Sequence, residues 1–434
     1  MKALIQYTES LQGRLDPPSS KNYTTRYLLV AALAEGESVV HFPAHSDDAE
    51  AMLRCLRALG AHFREVRDAA GKPHLHIRGF GRHPSNPGVV DPGNAGAVLR
   101  LLLGVGALLP DVRFETQHRE SLGQRPHGDL LEALEQLGVR TESAEGRLPV
   151  RLRGGQLHGG KVRVSGAKSS QYLSSLLFLA PLIGEELQIE VVDTLVSQPL
   201  IHTTLEVMAQ AGIAVEAAPD LLSYRIQAGQ HYRAGEYTVN GDYPSAAAIL
   251  AAGAATSSNL TVERLFEDCQ GERAVVPLLR RMGVAVEYDG RAVALGGHQG
   301  LRGVDFDGDR ATDMVLAMLG VAALAEGESR FHGIANLRLK ECDRISVPVR
   351  ELRRLGVDCE EKPAEILVRG CPAGYEGGVE VPTYHDHRVA QLLTIVGLRC
   401  RRGLTVLDAE NVGKSYPAFF QDLIGLGAQI ELVE

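Results

Sequence analysis

The sequence predicts an α/β protein assembled from six copies of one strand-and-helix unit. Two recurring marks, read together with the spacing they share, predict it. The octapeptide AALAEGES occurs at Ala31–Ser38 and again at Ala322–Ser329. Each copy closes an apolar helical run and precedes a strand-like stretch, VVHF or RFHG. The run-then-strand pattern returns four more times, so the first helices open near Thr25, Asn94, Ser169, Ser245, Asp313 and His387. A second mark keeps the same beat: amphipathic helices that end at Gly60, Gly138, Gly212, Gly283, Gly356 and Gly427, each followed by a strand. Both marks recur about every 73 residues, and two independent marks on one period identify a repeat.

Each unit then reads in order as strand, apolar helix, strand, amphipathic helix and one or two further strands. Glycine just past a helix takes the positive φ of a C-terminal cap. The β-branched stretches after it suit a half-buried strand. Strands alternating with helices favour β-α-β crossovers with parallel pairing. The period is longer than that of solenoid repeats, so a compact assembly is expected.

Composition bounds the function. The 434 residues are 44% hydrophobic and 23% charged, as expected of a globular chain. The net charge of -9 argues against non-specific binding to nucleic acid or an anionic membrane. The apolar run Met314–Ala325 is too short to span a bilayer. The start MKALIQYTES lacks the apolar region of a signal peptide. Cys55, Cys269, Cys342, Cys359, Cys371 and Cys400 are scattered with no C-x-x-C pair, which points to reduced thiols and a cytoplasmic protein.

The chemistry is expected just before the helices, where free backbone N–H groups and the dipole favour anions. Capping explains the Ser, Asp and Asn there. It does not explain Lys21, Arg125, Lys340, Arg344, Arg388 and Lys414 at one structural phase. Together they predict a pocket for a strongly anionic ligand, with arginine supplying bidentate forks. Other motifs fail. NVGKSYP has Asp408 where a phosphate-binding loop needs its first Gly. GVG at Gly104–Gly106 is a lone fragment inside an apolar helix, and His385 with His387 has no further ligand cluster, so no metal is expected.

The stretches SKNYTTRYLLVAALAEG, GNAGAVLR, SSQYLSSLL, LRLKECDRI and YHDHRVA resemble the signatures of the 5-enolpyruvylshikimate-3-phosphate synthase family, in that family's order, from about Ser20 to Gly427. The resemblance implies two similar domains, each of three β-α-β-α-β-β units, with the active site in the cleft between them. It implies domain ranges of 20–239, and 1–19 with 240–434. The implied activity is the shikimate-pathway transfer of an enolpyruvyl group from phosphoenolpyruvate to the 5-hydroxyl of shikimate 3-phosphate, releasing phosphate. No cofactor, no metal, no nucleic-acid or membrane partner and a monomeric enzyme are implied. Carried over by motif, Lys21, Asp313 and Glu341 are the catalytic candidates. Lys21, Asn22, Arg26, Ser169, Ser170, Gln171, Ser197, Asp313, Asn336 and Lys340 are expected to hold shikimate 3-phosphate. Lys21, Gly96, Arg125, Gln171, Arg344, Arg388 and Lys414 are expected to hold phosphoenolpyruvate. At Gly96 the lack of a Cβ is expected to let the backbone approach an anion.

The chain departs from the family pattern at Asn22, Ala97 and Leu200, where Ser, Thr and Tyr are usual. The nearest rival is the enolpyruvyl transferase that acts on UDP-N-acetylglucosamine. It carries a cysteine where Glu120–Pro126 has none, and it lacks a counterpart of LKECDRI. A silent anion-binding protein on the same scaffold is the rival of another class, and the presence of Lys21, Asp313 and Glu341 counts against it.

Overall fold

The structure is a computed structural model and describes residues 1–69 and 71–434. Packing groups them into two compact units: Met1–Pro18 with Asn240–Glu434, and Ser19–Val239. Each unit has its own buried apolar core.

The unit Ser19–Val239 holds three four-stranded sheets. One runs in space as Gly160–Val164, Leu187–Val191, Ser223–Ile226 and Glu216–Ala217. Its first two strands are parallel and flank the helix Ser170–Ile183; the other pairings are antiparallel. A second sheet, Val89–Val90, Val112–Phe114, Arg147–Arg153 and Arg140–Ala144, repeats that plan. In the third, the parallel partner of Glu37–His41 is Glu236–Thr238, from the far end of the segment.

The other unit repeats the plan three more times. Gln12–Leu15 lies parallel to Asn259–Val262, Asp305–Asp307 to Glu328–His332, and Glu380–Val381 to Leu404–Leu407. The N-terminal strand Lys2–Ile5 pairs with both Leu404–Leu407 and Ile430–Val433, completing the last sheet.

The sequence favoured β-α-β units with parallel pairing, and each sheet has one parallel pair beside antiparallel ones. In four sheets that pair is bridged by a helical crossover, as parallel strands require; in the other two the parallel strands come from distant segments of the chain. All six helix-ending glycines have left-handed backbones, from +82° at Gly212 to +104° at Gly60. A side chain there would strain each turn.

The first helices are Lys21–Leu33, Gly96–Gly106, Ser170–Ile183, Tyr243–Ala255, Val315–Ala322 and His387–Gly397. Every residue of Tyr243–Ala255 is buried, as expected of a helix apolar all round. Two starts differ from the sequence reading. The first helix opens at Lys21 instead of near Thr25, because Asn22, Thr24 and Thr25 are buried in the unit and tertiary packing overrides their polarity. Asp313 lies in the 3-10 segment Asp309–Met314, which is broken by non-helical Ala311 before the α-helix begins at Val315. The GVG fragment is a packing device: a Cβ on Gly104 would lie 2.8 Å from the Ser175 carbonyl oxygen of the neighbouring helix. No helix among the described residues is long and apolar enough to cross a membrane.

Candidate active site

In the unit Ser19–Val239 the candidates gather at helix starts. Lys21 is the first residue of its helix, and its Nζ lies 3.1 Å from Asp48 Oδ2. Asp48 sits in the first turn of Asp47–Ala58. Arg26 is 1% exposed. Its Nε donates to Thr204 Oγ1 at 3.0 Å, its Nη1 to the Asn22 carbonyl at 3.0 Å and its Nη2 to the Leu200 carbonyl at 3.3 Å. Burial lowers its pKa to about 10. Two of these hydrogen bonds tie the helix Gln198–Gln210 to Lys21–Leu33, and the third stays within the helix of Arg26 itself.

Ser169 caps the helix Ser170–Ile183 by accepting from Gln171 N. Arg100 Nη1 donates to Gln171 Oε1 at 2.9 Å, and its guanidinium lies over the Tyr172 ring. Ser197, at the start of Gln198–Gln210, has a left-handed backbone at φ 53°, a strained conformation for serine. Gly96 opens its helix, and a Cβ there would lie 2.4 Å from Arg125 Nη1. The missing side chain at Gly96 therefore makes room for the Arg125 guanidinium. His127 is fully buried, and its pKa falls to about 2 through burial and the charges of Arg100 and Arg125. It is a neutral imidazole.

In the other unit the site is an ionic cluster around Arg344, 1% exposed. Its Nε and Nη2 grip Asp386 at 2.7 and 3.0 Å. Nη2 also reaches Glu341 Oε2 at 2.8 Å, and Nη1 reaches Asp313 Oδ1 at 3.2 Å. Burial opposes the charge of Arg344, but Asp386, Glu341 and Asp313 outweigh it and raise its pKa well above the ordinary value. Lys414 Nζ lies 2.9 Å from Glu341 Oε1.

Asp386 also caps His387–Gly397 by accepting from Arg388 N, so one carboxylate ties the helix start to Arg344. Arg388 is 2% exposed, and its Nη1 donates to the Pro244 carbonyl and Gln391 Oε1. Its Nε has no partner among the described residues. Asn336 is buried in the 3-10 segment Ala335–Leu339, and Lys340 follows it. Among the described residues no group of three His, Cys, Asp or Glu is arranged to hold a metal.

Thus Asp313, Glu341, Arg344 and Lys414 meet directly. Sequence reasoning missed their partner Asp386, together with Asp48 and Arg100. Asp386 stands inside YHDHRVA, one of the stretches that carry the family resemblance.

Comparison with known proteins identifies the family. The model of the family described as EPSP synthase (3-phosphoshikimate 1-carboxyvinyltransferase) matches residues 5–423. A 3-phosphoshikimate 1-carboxyvinyltransferase of Deinococcus radiodurans is 44% identical, over 99% of this chain and 97% of that protein. One from Burkholderia pseudomallei is 38% identical, over 98% and 94%. The solved EPSP synthase from Acinetobacter baumannii superposes with a TM-score of 0.82 at 25% identity, covering 100% of this chain and 99% of the other. The enolpyruvyl transferase NikO from Streptomyces tendae shares the fold at 19% identity, with a TM-score of 0.79 and coverage of 99% and 98%. With the repeat, the motifs and the ionic cluster agreeing, the chain belongs to the EPSP synthase family.

Proposed function

We propose that this protein joins phosphoenolpyruvate to the 5-hydroxyl of shikimate 3-phosphate and releases inorganic phosphate. Family membership over nearly the whole chain supports the reading. The observation that carries it is the folding of LKECDRI, which brings Glu341 and Arg344 against Asp313, Asp386 and Lys414.

The reaction is addition followed by elimination. The hydroxyl oxygen bonds to C2 of phosphoenolpyruvate, the hydroxyl proton leaves to a base, and C3 gains a proton. The intermediate then loses the C3 proton and phosphate, restoring the double bond. Asp313 is the base for the hydroxyl: it is the more open of the two carboxylates, at 21% side-chain exposure against 9% for Glu341. Glu341, held between Arg344 and Lys414, serves the proton at C3. General acid–base groups of this kind contribute about 10²–10⁴-fold.

Lys21 stabilises the transferred group and moves a proton. Arg125, Arg388, Lys414, Gly96 and Gln171 serve phosphoenolpyruvate, with Arg344 ordering the carboxylates beside it. Asn22, Ser169, Ser170, Ser197, Asn336 and Lys340 serve shikimate 3-phosphate, with Arg26 as a brace. The two packing units correspond to two domains of three repeats each.

Phosphorus NMR of the protein with both substrates tests the reading. Phosphate should appear together with a new enol ether product. Phosphate without that product, or neither, would overturn it.

A further inference from the structure

We infer that Glu272 is a positioning residue for Asp313, a carboxyl group that anchors the backbone of the proposed base and governs the charge beside it. The inference rests on the reading of Asp313 as that base. Glu272 lies in the 3-10 segment Gly271–Ala274, which packs against Asp309–Met314. Asp313 N donates to Glu272 Oε1 at 3.2 Å. Within its own segment Asp313 follows the non-helical Ala311, so the helical ladder is interrupted where the base is presented. The hydrogen bond to Glu272 ties the backbone of Asp313 to the neighbouring segment.

A glutamine would accept the same hydrogen bond without a charge. Placing a second carboxyl group, 7% exposed, beside Asp313 is unfavourable for either ion. Burial, and then the charge of Asp313, push the Glu272 carboxyl up to about 8. Near neutral pH Glu272 therefore carries a proton, while Asp313 faces the Arg344 guanidinium. The cation that faces Glu272 is Arg388 on His387–Gly397.

Other charged or titratable groups on the packed elements have partners elsewhere. Asp242 accepts from Ser245 N, the Tyr243 hydroxyl donates to the Leu265 carbonyl, and Arg273 pairs with Glu267. Arg280 and Arg281, on the following helix, donate to the Val286 and Asp305 carbonyls. Asp309 and Arg310 share the segment of Asp313. Ionisation of Glu272 sets a second negative charge against Asp313. That charge holds the proton Asp313 has taken and slows its return to the ionised base.

Three variants test this by steady-state kinetics with both substrates across pH 6–10. Glu272→Ala should lose about tenfold or more in kcat, the scale of a misplaced catalytic group, with both KM values unchanged. Glu272→Gln should restore kcat at pH 7. Wild-type kcat should decline near the titration of Glu272, and Glu272→Gln should lose that decline. Wild-type kcat in Glu272→Ala, or a wild-type basic limb in Glu272→Gln, would overturn the inference; if Glu272→Ala fails to fold, the Glu272→Gln pH profile decides. Asp313→Asn separates the two readings. Full turnover in that variant would remove the base and the inference with it. A dead Asp313→Asn beside an unaltered Glu272→Gln pH profile would overturn the inference alone.

Discussion

Lys414 Nζ lies 2.9 Å from Glu341 Oε1, and both side chains are more than nine-tenths buried. A cation predicted to meet an anionic substrate thus already has a counterion in the same unit. Lys21 with Asp48 and Arg344 with three carboxylates follow the same rule. These carboxylates hold the cations in place and limit their mutual repulsion, so each is presented in one fixed geometry.

Replacing the proposed proton carriers should stop the chemistry and leave binding intact. Asp313→Asn and Glu341→Gln should each lose about a hundredfold or more in kcat. Calorimetric titration of each variant with shikimate 3-phosphate should show affinity close to that of the wild type. Near-normal turnover in both variants would contradict the assignment.

Arg344 and Arg388 should respond differently to truncation. Arg344→Ala strands Asp386, Glu341 and Asp313, and breaking a buried ion pair costs about 3–5 kcal/mol. Chemical denaturation should show that loss directly. Arg388→Ala should raise the KM for phosphoenolpyruvate far more than that for shikimate 3-phosphate, as should Arg125→Ala. A charged hydrogen bond is worth about 1.5–3 kcal/mol, or roughly ten- to a hundredfold.

Gly96→Ala should act through Arg125. The clashing atom is the tip of a flexible side chain, so the fold should survive while Arg125 moves. The KM for phosphoenolpyruvate should rise, and the thermal midpoint should change little. A variant with unchanged kinetics would show that Arg125 does not depend on the space at Gly96.

Stability should depend on pH through Glu272. Its pKa rises from 4.5 to about 8 on folding. Folding therefore favours its protonated form, and that stabilisation is complete below pH 4.5 and lost as pH rises through about 8. Glu272→Gln should flatten the denaturation free energy across that window. An identical slope in both proteins would contradict the burial of an acidic carboxyl there.

The repeat was legible because glycine at a left-handed turn is a backbone requirement. The six positions from Gly60 to Gly427 carry it whatever their neighbours do. The pairing of Lys2–Ile5 with Leu404–Leu407 was not, because it joins strands about 400 residues apart and leaves no local mark. Candidate site residues such as Lys21 and Arg344 were recognised by motif and phase. Their counterions Asp48 and Asp386 were not, because a sequence shows which side chains exist but not which ones meet. The sequence reading opens the first helix near Thr25, after Lys21; burial of Asn22, Thr24 and Thr25 carries the helix back to Lys21.

The most direct test of the whole account is acceptor preference. Phosphate release from phosphoenolpyruvate should be measured with shikimate 3-phosphate and, separately, with UDP-N-acetylglucosamine. Turnover with shikimate 3-phosphate and none above background with the nucleotide sugar is the predicted result. Turnover with the nucleotide sugar alone, or with neither, would contradict it.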